Sequence, residues 1–478
     1  MARGKKKESA LTPEEKLAQA LVPESEQPYK VPDNWCWTTV GQLCSFVGGG
    51  TPDKANPAYW NGDIPWASVK DIKGDRLYDT IDRITYDGLE NSSSNLCEKD
   101  ELILVTRIEP GKAIISQIGT AINQDLKVVK SKLSASFLYR YFQTFQHEFE
   151  NKSSGSTVKG ITIPNVQGTM FPLPPLAEQQ RIVDRIESLF AKLDEAKEKA
   201  QTALDSFETR KAAILHKAFT GELTAKWRAN HGDQIGDIDV SPLDKAYDVY
   251  DVPHDLPESW RWVRFNDCCT FVGSGVTPKG GKEVYQTTGV PFIRSQNVLK
   301  GTLDLSDVVY ITFETDATMK RTRILGGETL FNITGASIGR ACFVPLSQKM
   351  GNVNQHVCIL RYKNYVVSEL PQFWLNSPAV QDFVIGNQIG QTRQALNFKQ
   401  IRGMHYPLAP MGEQVEIIRI LDNLFAKEQQ AKEAAEAVLE KINLLKKSIL
   451  ARAFRGELGT NDPNDESAVE LLKGLFQA

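Results

Sequence analysis

Leu176-Ala-Glu-Gln-Gln-Arg-Ile-Val-Asp-Arg-Ile-Glu-Ser-Leu-Phe190 returns later in the chain as Met411-Gly-Glu-Gln-Val-Glu-Ile-Ile-Arg-Ile-Leu-Asp-Asn-Leu-Phe425. The repeat holds without a gap from Pro172/Pro407 to Leu223/Leu458. Within it, apolar residues alternate spacings of four and three: Ile182, Ile186, Leu189, Leu193, Ala196, Ala200, Ala203 and Phe207, then Ile214 after a break at Arg210. The second copy runs Ile417, Leu421, Leu424, a break at Glu428, then Ala431, Ala435, Val438, Ile442, Leu445 and Ile449. Sustained heptads predict coiled-coil helices. Pro174 and Pro175 mark a helix start and Gly221 a stop. About 40 residues at 1.5 Å rise give a rod near 60 Å.

Outward from each rod lies a head. Val31-Pro-Asp-Asn-Trp35-Cys-Trp37 returns as Leu256-Pro-Glu-Ser-Trp260-Arg-Trp262, but between this motif and the rod the identity shrinks to islands. These are Val47-Gly48/Val272-Gly273, Thr51-Pro52/Thr277-Pro278, Ile64-Pro65-Trp66/Val290-Pro291-Phe292 and Asn123-Gln124/Asn354-Gln355. The rods are constant parts and the heads variable ones. β-rich runs at 43–47, 101–106, 268–272 and 329–334, with helical stretches near 135–150 and 368–385, predict an α+β head. With a head before each rod, the simplest closed arrangement packs the rods antiparallel with one head at each end, and the alanine-rich middle lets the backbones approach closely. Pairing with a rod on a second chain stays open.

Composition narrows the class. The chain's 478 residues exceed one hydrophobic core. No apolar run is long enough to span a bilayer and no secretory leader opens the chain, so a cytoplasmic protein without membrane contact is expected. Seven cysteines without C-x-x-C spacing, and six histidines without paired ligand spacing, predict buried thiols and no metal. Net charge is −3, yet residues 257–408 hold 16 Lys and Arg against 10 Asp and Glu, whereas 30–175 hold 15 against 16. The second head is basic; the first must rely on local placement or a basic partner.

Several patterns imitate enzymes. Phe271-Val-Gly-Ser-Gly275 matches a methyltransferase cofactor loop and Asn56-Pro-Ala-Tyr59 nearly matches a catalytic N-P-P-[YF], but Asn56 follows Phe46-Val-Gly-Gly-Gly50 too closely, and the second copy lacks the element. Pro52-Asp53 with Asp71-Ile-Lys73 fits a loose nuclease pattern that the second copy loses as Pro278-Lys279 and Asn297-Val-Leu299. No G-x-x-x-x-G-K-[ST] occurs. A non-catalytic chain is expected. The polar segments 153–159 and 386–393 precede the rods at matched places and carry the amide, hydroxyl and cationic groups that base edges and phosphates require.

Two variable heads with Pro175-Leu-Ala-Glu-Gln-Gln180 and Ala218-Phe-Thr-Gly-Glu-Leu-Thr-Ala-Lys-Trp227 on one rod, and Pro410 through Gln414 and Ala453-Phe-Arg-Gly-Glu-Leu458 on the other, resemble the specificity subunit of type I restriction-modification systems. The likeness runs from about Pro28 to Leu458. It implies two tandem target recognition domains, each reading one half of a bipartite, asymmetric target on double-stranded DNA. The helices would set the spacer and dock two methyltransferase (modification) subunits, which carry S-adenosylmethionine, while restriction/translocase subunits would use ATP and Mg; this chain would hold no cofactor.

That resemblance divides the chain into an N-terminal extension (1–29), target recognition domain 1 (30–175), a central helical spacer (176–225), a linker (226–256), target recognition domain 2 (257–408), a distal helical spacer (409–459) and a C-terminal tail (460–478). The two ends each carry a short helix, from Thr12-Pro-Glu-Glu15 and over 468–476, expected as partner contacts or free tails. Thr51, Ser68, Lys70, Arg107, Thr157 and Lys159 are expected to read DNA in the first head, and Thr277, Arg294, Gln296, Asn297, Arg340, Gln391 and Arg393 in the second. Partner docking is expected at Glu178, Gln179, Phe219, Glu413, Gln414 and Phe454. The alternative is a coiled-coil adaptor whose heads bind protein.

Overall fold

The computed structural model describes residues 12–151, 153, 159–232, 238, 240, 251–347, 351–389 and 394–477. The chain forms an α+β protein with long helices, divided into two compact units, Met1–Ala200 with Ala437–Ala478 and Gln201–Glu436. The division cuts through the rods and not between head and rod. The first unit's core holds Ile182, Ile186 and Phe190 from the start of one rod with Leu450, Ala453 and Phe454 from the end of the other. In the second, Ile417, Ile418 and Leu421 lie with Leu215, Ala218 and Phe219. Each core thus takes one rod's beginning and the other's end.

In the first unit a five-stranded sheet runs in the order Cys44–Gly48, Leu126–Ser131, Leu102–Val105, Ala113–Ser116, Arg76–Leu77, beside a four-stranded sheet Asp82–Ile84, Trp60–Ala67, Thr120–Ile122, Asn95–Cys97. Cys36–Thr39 pairs with Met170–Leu173, tying the head's two ends together. The second unit repeats this order in Cys269–Ser274, Val357–Tyr362, Thr329–Asn332, Ala341–Phe343, in Val309–Ile311, Val290–Ile293, Asn352–Val353, and in the pair Arg261–Arg264 with His405–Leu408. The helix Ala135–Asn151 buries Phe137, Tyr141, Phe142 and Phe149. Its counterpart is two helices, Leu370–Leu375 and Pro378–Asn387, because Pro378 lacks the N–H an uninterrupted helix needs and instead starts a new one.

The short terminal helices Pro13–Ala20 and Ala468–Gln477 pack together on the first unit's core, with Ala20, Ala468 and Leu472 buried. Neither is a free tail.

The rods differ. The second is unbroken over Met411–Ala453, whereas the first stops at Asp205 and resumes as Phe207–Phe219. The interruption comes at Ser206, four residues before the lapse of the apolar pattern at Arg210: Ser206 Oγ donates to Thr202 O (2.9 Å) and Arg210 Nη1 to Ala203 O (3.1 Å), side-chain bonds that compete with the helix ladder. The second helix continues through Glu428, which accepts from Arg210 Nε at 2.8 Å. The two polar interruptions of the apolar pattern are therefore partners, a pairing that specifies register. Double-mutant analysis of Arg210→Ala and Glu428→Ala in urea is expected to give a coupling of about 0.5–1 kcal/mol for this half-exposed pair. Additive losses would leave register to the apolar residues alone. In the first unit Lys446 Nζ lies 4.8 Å from the Phe190 ring centre and 2.6 Å from Asp194 Oδ1.

Candidate nucleic-acid interface

Two matched junctions anchor the heads to the rods. Glu178 is fully buried and accepts from Trp35 Nε1 (2.7 Å), Thr460 Oγ1 (3.0 Å) and Asn461 Nδ2 (2.8 Å). Glu413, equally buried, accepts from Trp260 Nε1 (2.9 Å), Thr224 Oγ1 (2.6 Å) and Arg228 Nη2 (2.8 Å). The head-opening tryptophan and the rod-opening glutamate are thus one hydrogen-bonded unit, closed by the segment that follows the other rod. Gln179 and Gln414 turn back on Pro174 O and Ala409 O, and Phe219 and Phe454 sit in the cores. All six residues expected to dock partners lie inside a unit, where a side chain cannot touch a partner unless the unit opens.

The clefts are built on a shared backbone frame. Trp66-Ala67 runs parallel to Ala121-Ile122, and Phe292-Ile293 parallel to Asn352-Val353. The glycine runs pass over these strands so closely that a Cβ on Gly49 would strike Ile122 O and one on Gly275 would strike Val353 O. Close backbone approach explains the glycines that imitate a cofactor loop. Each parallel strand ends in a turn closed by an asparagine: Asn123 Oδ1 accepts from Asp125 N and Asn354 Oδ1 from His356 N, both at 3.0 Å. After the other strand, Ser68 N donates to Asp71 Oδ2 (2.8 Å) and Arg294 N to Asn297 Oδ1 (3.0 Å), closing one-turn caps in which Lys70 and Gln296 occupy the same place. Thr106 N to Asp125 O (2.8 Å) and Ile333 N to His356 O (3.0 Å) set Arg107 and Thr334 at matching positions.

On this common frame the side chains differ. In the first head a cavity of about 470 Å³ brings together Thr51, Ser68 and Lys70 with Trp60, Trp66, Asp82, Gln124 and Asp125. Thr51 Oγ1 donates to Gln124 Oε1 (2.5 Å), Lys70 pairs with Asp82 (2.5 Å), and Arg107 pairs with Asp125 (3.1 Å). The hydrogen bond that Lys70 donates to Asp82 holds its pKa above the usual lysine value, whereas burial pushes that of Lys127, which donates to Gln124 O, below it. Beside Arg107, Ile108 adopts φ 73°, a left-handed conformation costly for a β-branched residue, and its N–H reaches Lys159 O at 2.8 Å.

In the second head a cavity of about 420 Å³ is lined by Gln296 and Arg340 with Ser295, Thr334, Ser337 and His356. Thr334 Oγ1 lies 2.5 Å from His356 Nδ1, replacing the Arg107–Asp125 ion pair. Thr277 N donates to Gln355 Oε1 (3.1 Å). Arg294 Nη2 turns away to Asp307 O (2.8 Å), and Gln296 Nε2 donates to Asp307 Oδ2.

Two expected readers are instead structural. Asn297 is 1% exposed, with Nδ2 spent on Asp304 O and Asp307 Oδ1 and its Oδ1 on the cap. Ser68 is also buried and its hydroxyl donates to Asp71. Asn297 has both amide atoms engaged, whereas Ser68 keeps only its acceptor side at the wall of the first cavity. Thr157, Gln391 and Arg393 lie outside the described residues. Sequence reasoning missed Asp82, Asp125, Gln124, Gln355, His356 and Asp307. The Asn-Gln island was the available signal for the turns; nothing in the spacing marked the acids. Among the described residues no His, Cys, Asp and Glu group could hold a metal and no helix is long and apolar enough to cross a membrane.

Comparison with known proteins agrees with this duplicated plan. A family model described as "Type I restriction modification DNA specificity domain" matches residues 32–204 and again 257–441. The Escherichia coli type I restriction enzyme EcoBI specificity subunit is 29% identical over 344 residues, covering 70% of this chain and 68% of that protein. The EcoKI specificity subunit of Escherichia coli K12 is 22% identical over 452 residues, 90% of each chain. The crystal structure of the HsdS subunit from Thermoanaerobacter tengcongensis superposes with a TM-score of 0.58 at 19% identity, covering 91% of this chain and all of that one. A chain from a structure titled for complex assembly and conformational transition of the type I R-M system reaches 0.63 at 18% identity, over 90% and 100%. With the family model matching both repeats, the chain belongs to the type I restriction-modification DNA specificity family, as a specificity subunit.

Proposed function

We propose that the chain reads a bipartite, asymmetric sequence in double-stranded DNA within a cytoplasmic type I restriction-modification complex, one head to each half-site. The observation that carries this is the pair of clefts, built on one backbone frame but lined by different polar groups: Thr51, Lys70, Asp82 and Asp125 in one, with Arg107 paired to Asp125 beside it, and Gln296, Arg340, Thr334 and His356 in the other. The same approach to the duplex with different donors and acceptors yields two unlike half-sequences. The repeat divides as a seven-part chain of two target recognition domains and two spacers with flanking segments. The rods pair as an antiparallel coiled coil, supported by Arg210–Glu428 in one unit and Lys446–Asp194 in the other, and act as a ruler between the heads.

Two modification subunits carrying S-adenosylmethionine dock along the helices, and restriction subunits using ATP and Mg join them; this chain performs no catalysis. Docking passes from the six buried residues to exposed apolar positions at the rod starts, Leu176 and Met411, which occupy matched places in the repeat. Methylome sequencing of a host expressing the chain with its modification subunit, against the subunit alone, tests the reading. A methylated adenine in a split motif appearing only with this chain is expected. A co-purifying complex that methylates no new motif would favour heads that bind protein, a reading the family membership does not support.

A further inference from the structure

Lys70, Arg107 and Arg294 are each already paired to a carboxylate of their own head: Asp82, Asp125 and Asp307. Asp125 is part of the buried turn, but Asp82 and Asp307 have side chains 37% and 61% exposed, and ion pairs of such exposure contribute little to folding. A surface carboxylate also repels phosphate, so its presence beside a DNA-facing cleft costs affinity. The two acids are not counterparts by register. Asp82 opens the strand Asp82–Ile84 and pairs across from Trp66, whereas Asp307 precedes the strand Val309–Ile311, in which Val309 pairs across from Phe292. Yet both reach the same place in the cap, Asp82 to Lys70 and Asp307 to Gln296, and Asp307 also takes Arg294 and Asn297. Different sequence positions thus deliver a carboxylate to one functional position.

Resting on the DNA-reading function above, we propose that Asp82 and Asp307 are specificity-determining positioning residues: Asp82 neutralises and orients Lys70 at the first cleft, and Asp307 orients Gln296 at the second while neutralising Arg294 and holding it turned away beside the cleft. A cation already paired releases no counterion from a phosphate, so a head on the wrong sequence is held weakly. On the right sequence, base edges provide the acceptors and donors that complete the set. Freeing the cation makes it an ordinary phosphate contact.

The test uses the full chain with its modification subunit, measuring binding by fluorescence anisotropy across a salt series, on a duplex carrying the motif and on a scrambled duplex. On scrambled DNA, Asp82→Asn and Asp307→Asn are each expected to steepen log K against log salt by about 0.9, a roughly 3-fold extra loss of affinity between about 50 and 200 mM. Low-salt affinity for scrambled DNA should rise, lowering the preference for the first half-site in one variant and for the second in the other. Asp82→Glu should restore the slope. Unchanged slopes in variants of a discriminating wild type, even with weaker specific binding, would overturn the proposal and leave the acids structural. A wild-type complex without motif preference would overturn the DNA-reading function itself, and this inference with it.

Discussion

Glu413→Ala is expected to lower the stability of the second unit by about 3 kcal/mol, the lower end of what stranding a buried charge costs, since the Arg228 side chain remains 20% exposed. The carboxylate has no solvent exposure and receives donors from three residues far from it in sequence: Trp260 opening the head, and Thr224 and Arg228 beyond the other rod. Alanine leaves the indole N–H, the hydroxyl and the guanidinium Nε facing a void; Arg228 Nη2 keeps Gly221 O, but the charge loses its counter-charge and the other donors must find water or remain unpaired. For a unit of this size the loss corresponds to a melting shift of roughly 6–12 °C. Glu413→Gln keeps the shape and an acceptor but loses the charge, and should fall between. Calorimetry resolving the two units decides the matter: a shift below about 2 °C for Glu413→Ala would mean that the junction is held by packing alone. The effect should stay in the second unit, because the first has its own junction at Glu178.

How much of this was legible depended on distance along the chain. The heptads mark the helices, because a periodic stripe is a local property, and the repeat marks which head segments correspond; the second unit's sheets follow the same strand order over four and three strands against five and four. The apolar pattern lapses at Arg210; what interrupts the helix is the bonding of Ser206 to a carbonyl four residues back and of Arg210 to one seven residues back, which periodicity does not register. Glu178 and Glu413 stood out as constant residues, but their partners lie 143 and 153 positions away in sequence, and only the fold shows that they look inward. In the clefts, Lys70, Gln296 and Arg340 could be chosen because cations and amides suit DNA, whereas the acids opposing them could not, since a carboxylate argues against DNA until its partner is seen. Asn297 misled for the complementary reason: an amide suited to adenine is equally suited to closing a turn.

Arg340→Ala is expected to relax the second half-site at one base pair while leaving the first half-site unchanged. Among the described residues Arg340 has no side-chain hydrogen bond or ion pair, unlike Lys70, Arg107 and Arg294, and it lines the cavity with Gln296, Thr334 and His356. Its guanidinium presents a fork of donors that matches guanine O6 and N7, a contact worth about 1–3 kcal/mol of discrimination. The variant should therefore methylate sites with any base at one second-half position, which wild type restricts to guanine, and lose about 5- to 150-fold in preference for that base. Arg340→Lys should retain phosphate attraction but not the bidentate geometry, recovering affinity more than selectivity. Half-site competition separates the outcomes. Equal loss at both half-sites would make Arg340 a general backbone contact, and an unchanged methylome would move base reading in this head to Gln296 and the neighbouring His356.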